Sequence, residues 1–213
     1  MHIGSWAAKY TKIKCKFYLV MVSKIFRRTF KYISCLKYNC LSTNGNIYGS
    51  PKKLQPVLFE GKGKIEFGNL VTLGYYPSPF YYNGYIHLEA RRETAIIKFG
   101  SRIFANNNLT IICEGSTIEI GDDVLIGTNV EIIDSDFHEV HPDRRNSGNH
   151  KCKPVKIERN VFIGSNVKIQ KGVTVGENSI IANGSIVTSS MPNNAVIAGN
   201  PAIVVRTLKY ERS

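Results

Sequence analysis

No carboxylate appears in the first 59 residues of this chain; Glu60 is the first. The same stretch carries eleven basic residues: Lys9, Lys12, Lys14, Lys16, Lys24, Arg27, Arg28, Lys31, Lys37, Lys52 and Lys53. Residues 54–213 hold 17 basic and 16 acidic residues, so nearly all of the net charge of +12 belongs to an N-terminal arm. A long apolar run is also missing. The apolar stretch Phe17–Ser23, closed in by Lys16 and Lys24, has seven residues, whereas a bilayer span needs about 20. No small-residue cleavage site follows it, and Lys24-Ile25-Phe26-Arg27-Arg28 comes instead, which reads against a secretory signal. The five cysteines (Cys15, Cys35, Cys40, Cys113, Cys152) are odd in number and form no Cys-x-x-Cys pair, which argues against a disulfide framework or a structural zinc site. Free thiols in a reducing compartment are expected. No zinc-finger, RRM or KH pattern accompanies the charge, so nucleic acid is not the expected partner.

What is present begins with ordinary globular composition, 43% hydrophobic and 21% charged, in a chain too short for two full-sized domains. In the arm, Val22, Phe26, Phe30, Ile33 and Leu36 recur at helical spacing, with Lys24, Arg27, Arg28 and Lys31 mostly on the other side. Two placements suit such a helix. It can lie on an anionic membrane surface with its apolar residues inserted, or pack on its own body or another subunit with the basic residues in water.

The body repeats every six residues. From residue 157 it reads IERNVF, IGSNVK, IQKGVT, VGENSI, IANGSI, VTSSMP. The first position is Ile157, Ile163, Ile169, Val175, Ile181 and Val187; the fifth is Val161, Val167, Val173, Ser179, Ser185 and Met191. A second block, IGDDVL, IGTNVE, IIDSDF, begins at Ile120. Six is a multiple of two and not of 3.6, so a strand keeps this register and a helix smears it. Gly and Asn at regular intervals suit corners with unusual backbone angles. The consequence is a coil of very short strands whose flat sides stack.

Tandem [LIV]-G-x-x-[VS]-x units resemble the hexapeptide acyltransferases, and the resemblance implies an all-β, left-handed parallel β-helix of triangular coils. The pattern is regular over residues 118–132 and 157–190 and fainter at Ile65–Gly74 and Phe99–Leu109. The expected organisation is a basic, helical arm at 1–45, the β-helix at 46–190 and a tail at 191–213. The tail, Met191 to Ala202, is similar to the family's exit from the helix.

The sixes stop between Ile132 and Ile157. His138-Glu139-Val140-His141-Pro142-Asp143-Arg144-Arg145-Asn146-Ser147-Gly148, followed by Lys153-Pro154-Val155-Lys156-Ile157, is similar to the loop of the maltose, galactoside and related sugar O-acetyltransferases. The resemblance makes residues 133–156 a catalytic loop and places the catalytic histidine on His138. The chemistry needs such a group: a sugar hydroxyl attacking a thioester must lose its proton, and an imidazole with pKa about 6.5 can take it and pass it to the leaving thiolate. Asp134, Asp136, Glu139 or Asp143 could orient the ring, and so could a backbone carbonyl. His141 stands where this group often has an acidic residue. A zinc site of the kind some β-helix enzymes hold across subunits is not expected, because His138, His141 and His150 share one loop and His2 and His87 lie elsewhere.

The remaining site residues follow from the same resemblance. Asn106, in Phe104-Ala105-Asn106-Asn107-Asn108, and Asp136 are the acceptor-binding candidates. Gly164, Ser165, Ala182, Asn183, Thr188 and Ser189 match the groove for the pantetheine arm of acetyl-CoA, and Arg206 a position near its nucleotide end. Phe162 replaces a common Trp and Asn183 a common Ala. The aromatic segment Leu73–Tyr85 offers tyrosines that could stack on sugar faces or pack as core. The expected activity is acetyl-CoA-dependent O-acetylation of a sugar or glycan, such as a surface polysaccharide or lipid-linked precursor. A silent β-helix scaffold and an amino-sugar N-acetyltransferase are the alternatives. A homotrimer with active sites between subunits, no metal, and a cytoplasmic place with peripheral membrane contact through residues 1–45 complete the expectation.

Overall fold

The computed structural model describes residues 4–209, with the side chains of the N-terminal helix from Val20 onward. His2, Cys15, Lys9, Lys12, Lys14 and Lys16 lie outside the described side chains.

The chain winds into the left-handed parallel β-helix that the resemblance implies. Face one stacks Ile47–Tyr48, Lys64–Phe67, Ile96–Phe99, Thr117–Ile120, Val155–Ile157 and Thr174–Val175. Face two runs from Lys52–Lys53 through Thr72–Leu73, Phe104–Ala105, Leu125–Ile126, Phe162–Ile163 and Ile180–Ile181 to Ala195–Gly199 and Ala202–Thr207. Face three stacks Val57–Gly61, Ile86–Ala90, Thr110–Cys113, Glu131–Ile133, Lys168–Ile169 and Ile186–Val187. The chain visits the faces in that order on every turn, so coils extend upstream to residue 47, through the regions where the repeat is faint.

The first position of each hexapeptide points inward. Leu73, Ala105, Ile126, Ile163, Ile181 and Ile197 occupy one register on face two, and all are buried. Each fully buried Leu or Ile contributes about 1.5–3 kcal/mol. The fifth positions Val124, Val130, Val161, Val167 and Val173 fill the corners. Where the fifth residue is serine, its hydroxyl is satisfied inside: Ser179 Oγ donates to the Pro192 carbonyl at 2.9 Å, and Ser185 Oγ to the Ala182 carbonyl at 2.7 Å.

Corners require left-handed backbone, and asparagine tolerates it. Asn108, Asn129 and Asn166 have positive φ and stack side chain to side chain, Asn108 Nδ2 donating to Asn129 Oδ1 at 2.7 Å and Asn129 Nδ2 to Asn166 Oδ1 at 2.9 Å. A second ladder runs Asn160, Asn178, Asn194. At one end the only antiparallel strand pairing named above, Ala195–Gly199 with Ala202–Thr207, closes the coil. At the other, Thr43 and Asn44 donate their amides to the Phe59 carbonyl at 2.9 and 3.2 Å. The hairpin thus covers one end of face two, and these amides cover part of the first strand of face three.

Residues Gly4–Leu41 form one helix, α1. It packs on its own body, one of the two placements expected of it, but with Arg27 and Lys31 on the docked side instead of turned to water. Arg27, Lys31, Ser34 and Tyr38 face the body, whereas Val22, Phe26, Ile33 and Leu36 stay exposed. The reason lies in the Tyr75–Tyr85 loop, which offers the basic side partners: Arg27 Nη1 donates to the Tyr76 hydroxyl at 2.6 Å, and the Tyr38 and Tyr85 rings stack at 4.5 Å. No helix among the described residues is long and apolar enough to cross a membrane.

Candidate active site

The insertion leaves face three after Ile133 and rejoins face one at Val155. Its neck is closed by the Ser135–Cys152 bridge and by the Lys153 amide donating to the Asp134 carbonyl at 2.8 Å. Asp134 is fully buried, and its carboxylate accepts the amides of Glu114 (2.6 Å), Gly115 (3.2 Å) and Ser116 (2.9 Å) and the Ser116 hydroxyl (2.8 Å). The loop is therefore pinned to the preceding coil by a buried anion fully supplied with donors.

His138 follows a strained step. Phe137 has φ +60°, a left-handed conformation uncommon for a bulky residue. Its amide donates to Ser135 Oγ at 3.0 Å, and the Arg91 guanidinium lies 5.0 Å from its ring centroid. Arg91 also binds Glu89 and Glu114, so the residue before His138 is gripped by a network rooted in two coils. These partners hold the Arg91 proton more firmly than usual, Glu89 contributing most.

His138 Nδ1 lies 3.0 Å from the Arg145 carbonyl. A carbonyl only accepts, so Nδ1 must carry the hydrogen, and Nε2 is left with its lone pair available as a base. The orienting group is thus a backbone oxygen, delivered by the turn Pro142–Arg144; of the surrounding carboxylates, Glu139 pairs with Arg144 at 2.9 Å and Asp136 with Lys171. A cavity of about 260 Å³ is lined by Asp136, His138, Glu139, His141, Arg144 and Lys171, among others. His150 closes its back, its Nε2 3.3 Å from Glu114 Oε1. Beneath, burial with the Asp134 charge beside it pushes the Cys113 thiol up to about 12, leaving it protonated and inert.

The structure separates the other expected residues. Asp136 shares the His138 cavity, and Thr188 and Ser189 lie on the same edge of the prism, after face three. Asn106, Gly164, Ser165, Ala182 and Asn183 lie on another edge, between faces two and three. There Ser165 Oγ accepts from Thr128, and Asn183 Oδ1 accepts the Ser165 amide at 2.7 Å. Gly164 packs on the next coil: a Cβ would stand 2.5 Å from Asn183 Oδ1 and 2.8 Å from the Ile181 carbonyl. Arg206 is exposed on the closing strand, opposite Val196. Arg91, Glu114, Lys171 and the loop anchors Asn107 and Gln55 were not foreseen. Asn107 and Gln55 are buried amides whose partners are backbone groups about a coil or more away in sequence, a relation no local motif signals.

Residues 154–189 match the family model described as the hexapeptide repeat of succinyl-transferase. This segment carries the hexapeptide repeat. The chain is 42% identical over 112 residues to the galactoside O-acetyltransferase of Lactococcus lactis, which covers 53% of this chain and 53% of that protein. The hexapeptide-repeat fold also matches a galactoside acetyltransferase solved in complex with coenzyme A (33% identity, TM-score 0.50, 76% of this chain and 66% of that one). A hexapeptide-repeat acetyltransferase of Vibrio cholerae complexed with acetyl coenzyme A matches at 28% identity and TM-score 0.50, over 75% and 72%. The chain spans about half the length of the curated relatives it matches.

Proposed function

We propose that this chain is an acetyl-CoA-dependent O-acetyltransferase acting on a sugar or glycan hydroxyl, with His138 as general base. The observation that carries the reading is the tautomer imposed by the Arg145 carbonyl. With Nδ1–H committed, His138 Nε2 accepts the proton of the attacking hydroxyl as its oxygen bonds to the thioester carbonyl carbon, and returns that proton to the thiolate when the C–S bond breaks. No covalent enzyme intermediate is needed. Similarity to galactoside O-acetyltransferases and to proteins solved with coenzyme A or acetyl coenzyme A supports the same donor here.

In this proposal Asp136 and Asn106 contact the acceptor. Gly164, Ser165, Ala182, Asn183, Thr188 and Ser189 border the donor, and Arg206 lies near its nucleotide end. Ser165 and Asn183 offer polar groups at a corner kept narrow by Gly164 and Ala182, which suits an extended amide-bearing arm. Because these residues occupy two edges of one prism, a complete site requires a second subunit. Face two supplies a surface for it: outward Phe104, Leu125, Phe162, Ile180 and Val196 stack in one apolar register, whereas the outward register of face one is Glu66, Lys98, Glu119, Lys156 and Thr174. Leu125 and Phe162 remain 48% and 46% exposed in the single chain. A homotrimer joined through face two is the assembly proposed.

His138→Ala tests the reading. In a thiol-release assay with acetyl-CoA and a panel of sugars, kcat is expected to drop roughly 10²–10⁴-fold with donor binding retained. Undiminished turnover refutes the role.

A further inference from the structure

The cleft between α1 and the tyrosine loop combines two features that the reaction above leaves unused. First, Lys24, Arg27, Arg28 and Lys31 converge on it, and none of them takes part in an ion pair among the described residues. No acidic residue precedes Glu60 to neutralise them from their own segment. Second, the opposite wall is a fixed aromatic cluster. Tyr81 stands 5.1 Å from both Tyr76 and Tyr82, centroid to centroid, and Tyr76 lies 6.1 Å from Tyr82. That wall is held from below: Asn107 Nδ2 donates to the Tyr75 and Pro79 carbonyls, each at 2.9 Å, and Gln55 Nε2 to the Phe80 carbonyl at 2.8 Å.

An amphipathic helix ordinarily docks through its apolar side. Here the basic side is turned to the body, and the cleft it forms, open to solvent, is about 500 Å³, lined by the four cations and the three tyrosines. Like charges gathered beside low-dielectric rings repel one another, and a bound anion relieves that repulsion. Guanidinium and ammonium groups suit phosphate oxygens, and tyrosine faces suit the C–H face of a pyranose ring.

We propose that this cleft is a binding site for a phosphate-bearing saccharide, the cations taking the phosphate and Tyr76, Tyr81 and Tyr82 the sugar ring. The site stands apart from the transfer reaction, so it is tested without acetyl-CoA. Calorimetric titration of the full chain with glucose 1-phosphate and N-acetylglucosamine 1-phosphate is expected to show binding of at least one of them, weakening as salt rises. Free glucose and inorganic phosphate should bind at least about tenfold more weakly, and the pair Lys24→Gln with Lys31→Gln should cost about tenfold or more, with the assembly mass and circular dichroism unchanged. Tyr82→Leu, which leaves every cation in place, should cost affinity for the sugar phosphate and not for inorganic phosphate. Several results overturn the proposal: no binding of either sugar phosphate, equal binding of inorganic phosphate, or unaltered affinity in the double variant. Capture of phosphatidylglycerol vesicles through the same lysines, with no sugar phosphate bound, also overturns it and assigns the charge to a lipid surface.

Discussion

Asp134→Ala is the most severe test of how the loop is anchored. The carboxylate is fully buried and accepts three backbone amides and one hydroxyl at 2.6–3.2 Å. Truncation leaves those donors without acceptors in a site closed by the Cys113 side chain and the loop neck. Bonds to a charged acceptor contribute about 1.5–3 kcal/mol each, and an orphaned buried donor costs about 1–3 kcal/mol. Water entering the vacated space restores part of this, so the net loss is about 3–5 kcal/mol. For a chain of this length that lowers Tm by roughly 10 °C. Asp134→Asn keeps the shape but turns an amide NH₂ toward at least one N–H donor, and should fall about midway. Thermal unfolding followed by circular dichroism gives the first measure, and hydrogen exchange at the amides of residues 114–116 the second. Those amides should exchange far faster in Asp134→Ala while amides of the distant coil at 180–187 do not. If Tm stays within about 2 °C of the parent and residues 114–116 keep their protection, the carboxylate is not the anchor.

Three other perturbations follow from the same framework. Phe162→Glu places a charge in the middle of the apolar register on face two, and light scattering should report a monomer with acetyl transfer reduced about tenfold or more; a trimer of unchanged mass removes face two as the interface. Glu89, with hydrogen bonds from His87 and Arg91, is held down at about 2, against the ordinary 4.5. Its contribution is present above pH about 4.5 and is lost as pH falls toward 2, so Glu89→Gln should be less stable than the parent in urea at pH 7, and the gap should close across that window. Cys113 should resist iodoacetamide in the folded protein at pH 8 while the exposed Cys40 reacts; labelling of Cys113 at a comparable rate would contradict its burial.

The coil was legible because its rule is local. A branched residue every six positions marks the inward register, and asparagine marks corners where a left-handed backbone is needed, as at Asn129, Asn166 and Asn178. The upstream coils were faint because their corners hold Leu70 and Arg102 instead of asparagine, and because the loop at 74–85 breaks the count. His138 was marked by its flanking motif, but its partner was not: which carbonyl meets Nδ1 depends on how Pro142–Arg144 turns. The docked side of α1 was illegible for a different reason. Periodicity separates two faces of a helix without saying which one finds partners, and the tyrosines that decide it lie some 50 residues away along the chain.

The separation of site residues between two edges carries a further consequence. In one chain the His138 cavity and the Ser165–Asn183 corner flank face three, which keeps them on different edges however the loop moves. A loop rearrangement could widen or narrow the cavity, but it could not carry Asn183 to His138, because Asn183 is fixed by its bond to the Ser165 amide and by the coil behind it. If both sets serve one reaction, mixing should recover activity that neither partner has alone. His138→Ala and a variant disabled on the other edge, Asn183→Arg, are each expected to be inactive as pure assemblies. Dissociated in urea and refolded together in equal amounts, they should regain a substantial fraction of parental turnover, since some sites then pair an intact histidine with an intact corner. Absence of any recovery, with mixed assemblies verified by mass, would place the whole reaction on one edge and leave Ser165 and Asn183 as corner residues of the coil.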